Sequence, residues 1–205
     1  MAVFDYLVLT LARGSAARAG FVKRVAEAGL NRGGRTAGLF TAQLGWPAAQ
    51  VALLVERDGD AASAALPALA KTPEALSSAD YALRPTIRPR PTDKLMPGGV
   101  YVHRWFEVAA ADLEEFVVLS AEAWPDFEGG FDARIFGLFE LTSDWPDGAP
   151  GSRHLLLVTR YGSHGVWEDS RDPTTAAMQT FARRAQLTLS TTAASTLLVA
   201  ETANG

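Results

Sequence analysis

Apolar and polar residues follow the same order of short runs twice along this chain. The apolar run at 6–12 (YLVLTLA) predicts a strand, and Tyr101–Val108 predicts its counterpart in the second half. A helix is expected after each strand, because apolar residues then recur three or four positions apart. In the second half this stripe consists of Leu113, Phe116, Val117, Ala121 and Trp124. Pro125 is then expected to end the helix.

Two further strands, a second helix and a last strand are predicted in each half. The middle strands are expected at Arg35–Ala42, Val51–Arg57, Arg134–Leu141 and His154–Tyr161. The second helix is clearest in the second half, where its apolar stripe is Met178, Phe181, Ala182, Ala185 and Leu189. The last strands are expected at Tyr81–Ile87 and Leu197–Glu201. Each half therefore has the order β-α-β-β-α-β, which is the ferredoxin-like arrangement.

The two halves also repeat in their residues. Tyr6 and Tyr101 match 95 positions apart, the phrases GLFTAQLGWP (38–47) and GLFELTSDWP (137–146) match 99 apart, and LLVERDG (53–59) and LLVTRYG (156–162) match 103 apart. The separation grows at 125–130 and at 148–151, where we expect inserted loops, because loops accept insertions easily. Gly38 and Gly137 lie inside predicted strands, where glycine is typical of a bulge or a close backbone approach.

The repeat predicts the architecture of the whole chain. One ferredoxin-like unit leaves a bare sheet face that must be buried. We therefore predict an α+β fold of two tandem ferredoxin-like (βαββαβ) repeats, whose antiparallel sheets pack as an α/β barrel with the helices outside. The repeats are expected at 1–88 and 99–205, joined by a proline-rich linker at 89–98.

Composition excludes several classes of function. The chain has 205 residues, a net charge of −4 and no cysteine, so nucleic acid, disulfides and thiolate metal sites are not expected. No apolar run approaches the length of a membrane span, and the N-terminus lacks a basic start, so we expect a cytoplasmic protein. The sequence has no HExxH, GxGxxG, Walker or GxSxG motif, and no cofactor is expected.

The second half resembles a known family. The segment YVHRWFEVAAADLEEFVVLSAEAWPDFEGGFDARIFGLF (101–139) is similar to the core of NIPSNAP-type domains in the dimeric α/β-barrel superfamily, and the similarity is strongest over Val100–Tyr161. This resemblance implies a tandem ferredoxin-like barrel, and we expect two chains to pair as a homodimer. It implies little about activity, because the superfamily includes cofactor-free oxygenases, haem enzymes and proteins of no known reaction. The family's first strand carries a glutamate, where this chain has Val102.

Differences between the halves indicate where function lies. Val8, Leu9 and Thr10 become His103, Arg104 and Trp105, Gly29 becomes Trp124, Asp58 becomes Tyr161, and Glu128 has no counterpart. Strand alternation places Tyr101, His103, Trp105 and Glu107 on one face and Val102, Arg104 and Phe106 on the other. The resemblance favours the face of Arg104 as the barrel interior. A buried arginine needs a carboxylate or an anionic ligand, and the alternative to a ligand is a salt bridge with Glu140 or Glu107.

These residues support three hypotheses. The first is that the second half binds a small, largely apolar or anionic molecule in the barrel cavity, with or without transforming it. Its candidate catalytic residues are Arg104, His103 and Tyr161, and its candidate substrate contacts are Trp105, Phe106, Trp124 and Glu128. The second is a non-catalytic interaction protein with fully packed copies and an exposed apolar patch. The third is a haem protein with His103 or His154 as axial ligand.

Overall fold

The computed structural model describes residues 3–28, 34–57, 66–143, 145 and 148–199. Within these ranges the strands are β1 (Val3–Leu11), β2 (Gly34–Leu44), β3 (Gln50–Arg57), β4 (Ala75–Pro85), β5 (Val100–Ala109), β6 (Ala133–Leu141), β7 (Ser152–Tyr161) and β8 (Thr188–Leu198). The helices are α1 (Ser15–Glu27), α2 (Leu66–Leu69), α3 (Leu113–Gly130), α4 (His164–Asp169) and α5 (Ala176–Ala185). Gly29, Asp58 and Glu201 lie outside the described residues.

The strands form a closed antiparallel barrel in the order β1-β3-β2-β8-β5-β7-β6-β4. The first four strands have the order β4-β1-β3-β2, and the last four have the equivalent order β8-β5-β7-β6. The halves join where β2 pairs with β8, at Phe40 opposite Leu198, and where β4 pairs with β6, at Leu83 opposite Leu141. The predicted fold class, two tandem ferredoxin-like repeats in an α/β barrel, is confirmed. The division of the chain at 1–88, 89–98 and 99–205 stays a prediction.

The core has one layer inside the barrel and one under the helices of each half, because successive strand residues face opposite sides of the sheet. The interior layer contains Phe4, Tyr6, Phe40, Leu83, Tyr101, Phe139, Leu156 and Val158. The sheet residues beneath α1 are Leu7, Leu9, Leu53 and Val55, and they pack with Phe21 and Val25 of α1 itself. The sheet residues beneath α3 and α5 are Val102, Phe106 and Leu157, and they pack with Phe116, Trp124 and Phe127 of α3 itself. The repeated Tyr6 and Tyr101 therefore both belong to the barrel interior.

The two glycines of the repeated phrase lie at irregularities in the sheet, as predicted. The register of β2 against β3 shifts between Thr36 and Gly38, and that of β6 against β7 shifts between Ile135 and Gly137. A methyl group on Gly137 would come within 2.6 Å of Pro89 Cδ and 2.8 Å of the Phe139 ring. A methyl group on Gly38 would collide with Leu95 and the Phe40 ring. Each glycine leaves room for residues of the segment that joins the halves.

The prediction that α3 ends at Pro125 is wrong. The helix continues through Pro125 to Gly130, so residues 125–130 form its C-terminal end rather than an inserted loop. Proline lacks the N–H that would bond the fourth residue back, which usually ends a helix. Here tertiary contacts compensate, because Phe127 is buried and Glu128 accepts hydrogen bonds from Arg88 and from the Ile135 backbone.

The last strand of each half begins earlier than predicted. Strand β4 starts at Ala75 rather than Tyr81, and β8 starts at Thr188 rather than Leu197. Leu189 therefore belongs to β8 and not to the preceding helix. Both strands begin with exposed, mostly polar residues, which give no apolar alternation. Among the described residues, no helix has the length and apolar character needed to cross a membrane.

Candidate functional site

Alternate residues of β5 face opposite layers of the core, and this divides the predicted site. Tyr101, His103 and Trp105 face the barrel interior, while Arg104 and Phe106 face α3 and α5. The expectation that Arg104 faces the barrel interior is therefore wrong. Large aromatic side chains from both halves pack together in the interior, and the space beside Arg104 lies outside the barrel.

A cavity of about 400 Å³ lies between the outer face of the second-half sheet and the helices that cover it. Its walls come from four strands, from α3 and α5, and from the turn after α4. The lining residues are Arg104, Phe106, Phe127, Ile135, Leu157, Thr159, Tyr161, Ser170, Arg171, Met178, Phe181, Ala182, Arg184, Ala185, Thr188, Leu189, Ser190 and Thr191. The cavity is therefore mainly apolar, with guanidinium and hydroxyl groups on its walls.

Helix α5 forms one wall through its apolar stripe. Met178, Phe181, Ala182 and Ala185 are spaced three or four residues apart and lie on the same face, as the sequence predicts. The helix begins after Thr175, whose hydroxyl oxygen accepts a hydrogen bond of 3.3 Å from the Met178 backbone N–H. This cap fixes the start of the helix and therefore the position of the stripe over the sheet.

Three arginines meet at this cavity without an acidic partner. Arg184 is 7% exposed, Arg104 is half-buried, and Arg171 is exposed. The lining contains no aspartate or glutamate, and no ion pair joins these arginines to a carboxylate of the described residues. Unpaired buried charge is unfavourable because the protein interior solvates ions poorly. The site therefore carries an excess of positive charge.

Arg184 is held by aromatic rings rather than by an ion pair. Its guanidinium carbon lies 4.9 Å from the ring centre of Phe106, 5.1 Å from that of Phe116 and 4.5 Å from that of Phe181. Its Nη1 donates a 3.2 Å hydrogen bond to Ser120 Oγ, and its buried Nε has no partner within the described residues. Ring contacts stabilise a cation, yet they leave this N–H donor unsatisfied.

The charge states in the cavity follow from burial and from like charge. Burial, with smaller contributions from Arg104 and Arg171, lowers the pKa of Arg184 to about 9. Burial and the nearby Arg171 also lower the pKa of Arg104. Burial raises the pKa of Tyr161, which stays a neutral phenol at neutral pH. The cavity therefore presents cations and hydroxyl donors under ordinary conditions.

The predicted salt bridge between Arg104 and Glu140 or Glu107 is not formed. Glu140 accepts a 2.6 Å bond from Arg84 Nη2. Glu107 accepts bonds from the Ala149 backbone and from the hydroxyl groups of Ser152 and Ser190. Glu107 also points to the opposite face of β5. The partner that Arg104 requires is thus missing from the described residues.

His103 belongs to a buried hydrogen-bonded pair inside the barrel. Its Nδ1 lies 2.7 Å from Tyr6 Oη, and its buried Nε2 has no hydrogen-bond partner within the described residues. Burial lowers the pKa of His103 to about 3, so the imidazole is neutral at neutral pH. The ring centres of Phe40 and Trp46 lie 4.5 Å and 5.5 Å from that of the imidazole. His103 and the nearby Trp105 therefore pack in the interior and do not line the cavity.

Trp124 and Glu128 lie on α3 outside the cavity lining. Trp124 is buried, and the Arg88 guanidinium carbon lies 5.2 Å from its ring centre. Glu128 Oε1 accepts bonds of 2.7 Å from Arg88 Nη1 and 2.8 Å from the Ile135 backbone N–H. These contacts join α3 to β6 and to the segment between the halves. Of the candidate residues, the structure brings Arg104, Phe106 and Tyr161 together at the cavity.

Two of the three arginines that line the cavity, Arg171 and Arg184, were not among the candidates predicted from the sequence. Arg184 had a usable signal, because it follows Phe181 by three residues and so lies on the buried side of the predicted helix. Arg171 had none, because an arginine between two polar residues is typical of an exposed loop.

Comparisons with known proteins show the fold. No protein-family model and no curated protein matches the chain. The chain is similar to the structure of an anthrone oxidase-like protein, with 10% identity, a TM-score of 0.66 and coverage of 97% of this chain and 91% of that one. A mutant chlorite dismutase from Candidatus Nitrospira defluvii matches with 8% identity, a TM-score of 0.62 and coverage of 95% and 91%. A heme-binding protein from Thermus thermophilus matches with 12% identity, a TM-score of 0.51 and coverage of 97% and 90%. The chain therefore shares the ferredoxin-like α/β-barrel fold with these proteins.

The cavity residues do not fit a histidine-ligated haem. No histidine lines the cavity, and the chain has no cysteine. His103 is enclosed in the barrel on the other face of β5, and His154 stacks on Trp145 at 4.7 Å between ring centres. His164, on α4, lies 3.0 Å from Ser195 Oγ. Within the described ranges, no cluster of three or more histidine, aspartate or glutamate side chains could hold a metal ion.

Proposed function

We propose that the protein binds a small anionic molecule with an apolar body in the cavity lined by Arg104, Tyr161 and Arg184. The observation that carries this proposal is the convergence of three arginines on one cavity without a carboxylate among its lining residues. An anionic ligand would supply the missing charge. It would also accept a hydrogen bond from Arg184 Nε, which has no partner within the described residues.

The apolar part of the ligand is inferred from the remaining walls. Phe106, Phe127, Leu157 and Phe181 line the same cavity, and they offer aromatic and aliphatic surface to a ring or a short chain. A largely apolar pocket with a few fixed polar groups is typical of small-molecule sites. The molecule would therefore be amphipathic, with its acidic group at the arginines.

The chemistry of the lining favours binding over catalysis. General acid–base catalysis requires a group that titrates near the working pH. The lining contains no histidine and no carboxylate, the pKa of Tyr161 is raised, and Arg184 remains charged at neutral pH. We therefore assign Arg104 and Tyr161 to ligand contact rather than to a reaction. His103 has no place in this site.

The other hypotheses receive less support. A fully packed interaction protein would leave no internal space, whereas the second half holds a cavity of about 400 Å³. A haem protein of the kind expected from the sequence would need an axial histidine, and no histidine lines this cavity. We include the resemblance to NIPSNAP-type domains in the proposal. It specifies no reaction, because those domains carry no single agreed activity. The homodimer and the cytoplasmic location stay predictions.

The proposal is tested with a matched pair of probes. Isothermal titration calorimetry compares 2-naphthoate with the neutral 2-naphthalenemethanol, which has the same ring system. We expect the carboxylate to bind at least about tenfold more tightly, a difference of about 1.4 kcal/mol. Arg104→Gln should reduce this preference, because Arg184 alone then faces the carboxylate, whereas Arg153→Gln, at an exposed arginine outside the cavity, should preserve it. Equal binding of both probes, or no effect of Arg104→Gln, would contradict the proposal.

A further inference from the structure

We infer that the ligand of this cavity carries two negative charges close together, as a phosphate monoester or as a pair of neighbouring carboxylates. This inference rests on the proposed function and specifies the charge of the molecule. Its basis is the number of cations that need compensation and their degree of burial. The three arginines of the lining differ in exposure, and this difference determines how much charge a ligand has to supply.

Arg171 needs no ligand because water reaches it. It is exposed, and its guanidinium carbon lies 5.8 Å from the ring centre of Trp167 at the edge of the site. Solvent and dissolved salt screen such a charge, so its contribution to binding is small. The compensation required of a ligand therefore concerns Arg104 and Arg184.

Arg104 and Arg184 form a pair of like charges in apolar surroundings. One projects from β5 and the other from α5, and the charge of Arg104 adds to burial in lowering the pKa of Arg184. A single carboxylate would neutralise one positive charge and leave the second without compensation. A ligand with two negative charges would neutralise both. Since unpaired charge is unfavourable in such surroundings, the doubly charged ligand is the better match.

The neutral donors of the cavity point to the same chemistry. Thr159 and Tyr161 line the cavity together with the arginines, and their hydroxyl groups can donate hydrogen bonds, whereas the Ser170 hydroxyl already donates to the Trp167 carbonyl oxygen. Together with the unpartnered Nε of Arg184 and the five N–H groups of the Arg104 guanidinium, the hydroxyl groups of Thr159 and Tyr161 can donate more hydrogen bonds than the roughly four lone-pair sites of one carboxylate accept. A phosphate monoester has three terminal oxygens, and two carboxylates have four. Both match this set of donors.

The charge of the ligand is tested separately from its shape. The probes 2-naphthyl phosphate and 2-naphthyl sulfate have the same ring and a similar tetrahedral head group. Near pH 7.5 the phosphate carries about two negative charges and the sulfate carries one, because the second pKa of a phosphate monoester is about 6. We expect the phosphate to bind at least about tenfold more tightly than the sulfate by titration calorimetry.

A pH series provides the internal control. Lowering the pH to about 5 converts the phosphate to a monoanion, so its advantage over the sulfate should fall to about twofold or less. The ionisable groups that face the cavity are Arg104 from β5, Tyr161 from β7, Arg184 from α5 and Arg171 from the turn after α4. Arginine and tyrosine side chains do not change charge between these pH values. Circular dichroism at both pH values checks that the protein remains folded.

Variants and a second pair of probes complete the test. Arg104→Gln is the main variant, because Arg184→Gln also removes buried ring contacts. Arg104→Gln should abolish the tighter binding of 2-naphthyl phosphate relative to 2-naphthyl sulfate, whereas Arg153→Gln should leave this difference unchanged. A parallel comparison of 2,3-naphthalenedicarboxylate with 2-naphthoate distinguishes a pair of carboxylates from a phosphate. Whichever doubly charged probe exceeds its singly charged partner tenfold identifies the source of the charge.

The outcomes separate this inference from the proposed function. If singly and doubly charged probes bind equally well near pH 7.5, and Arg104→Gln weakens both, the two-charge inference is overturned and anion binding stands. If no anionic probe binds better than 2-naphthalenemethanol, both are overturned. A tenfold advantage that persists at pH 5 would also overturn the inference, because the phosphate is then a monoanion.

Discussion

Replacing the buried Tyr6–His103 pair should change how the stability of the protein depends on pH. The pKa of His103 is lowered from 6.5 to about 3 in the folded protein, because the barrel interior surrounds it completely. An unfolded chain binds a proton at this histidine once the pH falls below about 6.5, whereas the folded protein does not until about pH 3. Stability from this group is therefore complete above pH 6.5 and is lost as the pH falls.

The size of the effect follows from the difference in proton binding. Between these two pKa values the unfolded state holds about one more proton at this site, so the free energy of unfolding falls by about 1.4 kcal/mol for each pH unit. From pH 6.5 to pH 5 the loss is about 2 kcal/mol. The double variant Tyr6→Phe, His103→Leu removes both the titrating ring and the hydroxyl that bonds it, so neither member of the pair is left buried without the other.

Urea unfolding followed by tryptophan fluorescence at pH 7, 6 and 5 measures the effect. Other groups, such as His154 and Glu107, titrate in both proteins, so the difference between the two curves isolates the pair. Between pH 7 and pH 5, the free energy of unfolding of the wild type should decrease by about 2 kcal/mol more than that of the variant. Parallel curves, within about 0.5 kcal/mol, would refute the assignment of a neutral, buried His103.

Two further substitutions test the scaffold around the site by urea unfolding and calorimetry. Gly137→Ala should lower the free energy of unfolding by about 1–3 kcal/mol, because the added methyl group would collide with Pro89. Gly129→Ala, whose methyl group meets open space, should be neutral or stabilising. Equal effects of the two substitutions would contradict this explanation of Gly137. Glu128→Gln should lower the free energy of unfolding by about 1–3 kcal/mol through its bonds with Arg88, yet leave the affinity for 2-naphthoate unchanged within about twofold. A large loss of affinity for 2-naphthoate would indicate that Glu128 contacts the ligand after all.

The order of the elements and their closure into a barrel were predictable from the sequence because the chain repeats itself. Tyr6 and Tyr101 mark the same position in each first strand, and both are buried in the interior. Gly38 and Gly137 mark the same irregularity in each second strand. Residues that occur at the same position in both halves are explained by the shared fold, whereas residues found in one half need another explanation.

The orientation of β5 was not predictable from its residues. Val100, Tyr101 and Val102 are all buried, because one face of the strand meets the barrel interior and the other meets the helices. Alternation of apolar and polar residues identifies the inner face of a strand only when the other face is solvated. The sequence of β5 therefore allows either His103 or Arg104 to face the interior. The packing of side chains from other strands and helices against β5 determines which of them does.

The remaining errors also have physical causes. Local propensity ends a helix at proline, but the contacts of Phe127 and Glu128 carry α3 past Pro125. The cavity lining combines Arg104 of β5 with Arg184 of α5, and the packing of α5 on the sheet brings them to one cavity. Sequence spacing relates residues within one element, whereas this pair of charges arises between elements far apart in the chain.

Joining both halves of the barrel in one chain removes a constraint that symmetry imposes. In a barrel made from two identical chains, every substitution appears twice, and a cation added to one half is added to the other. Here Leu9 occupies the position equivalent to Arg104, and it is completely buried beneath α1. One half can therefore acquire arginines that line a cavity, while the equivalent strand position of the other half keeps an apolar side chain. The expected stoichiometry is one ligand for each chain, even where two chains assemble.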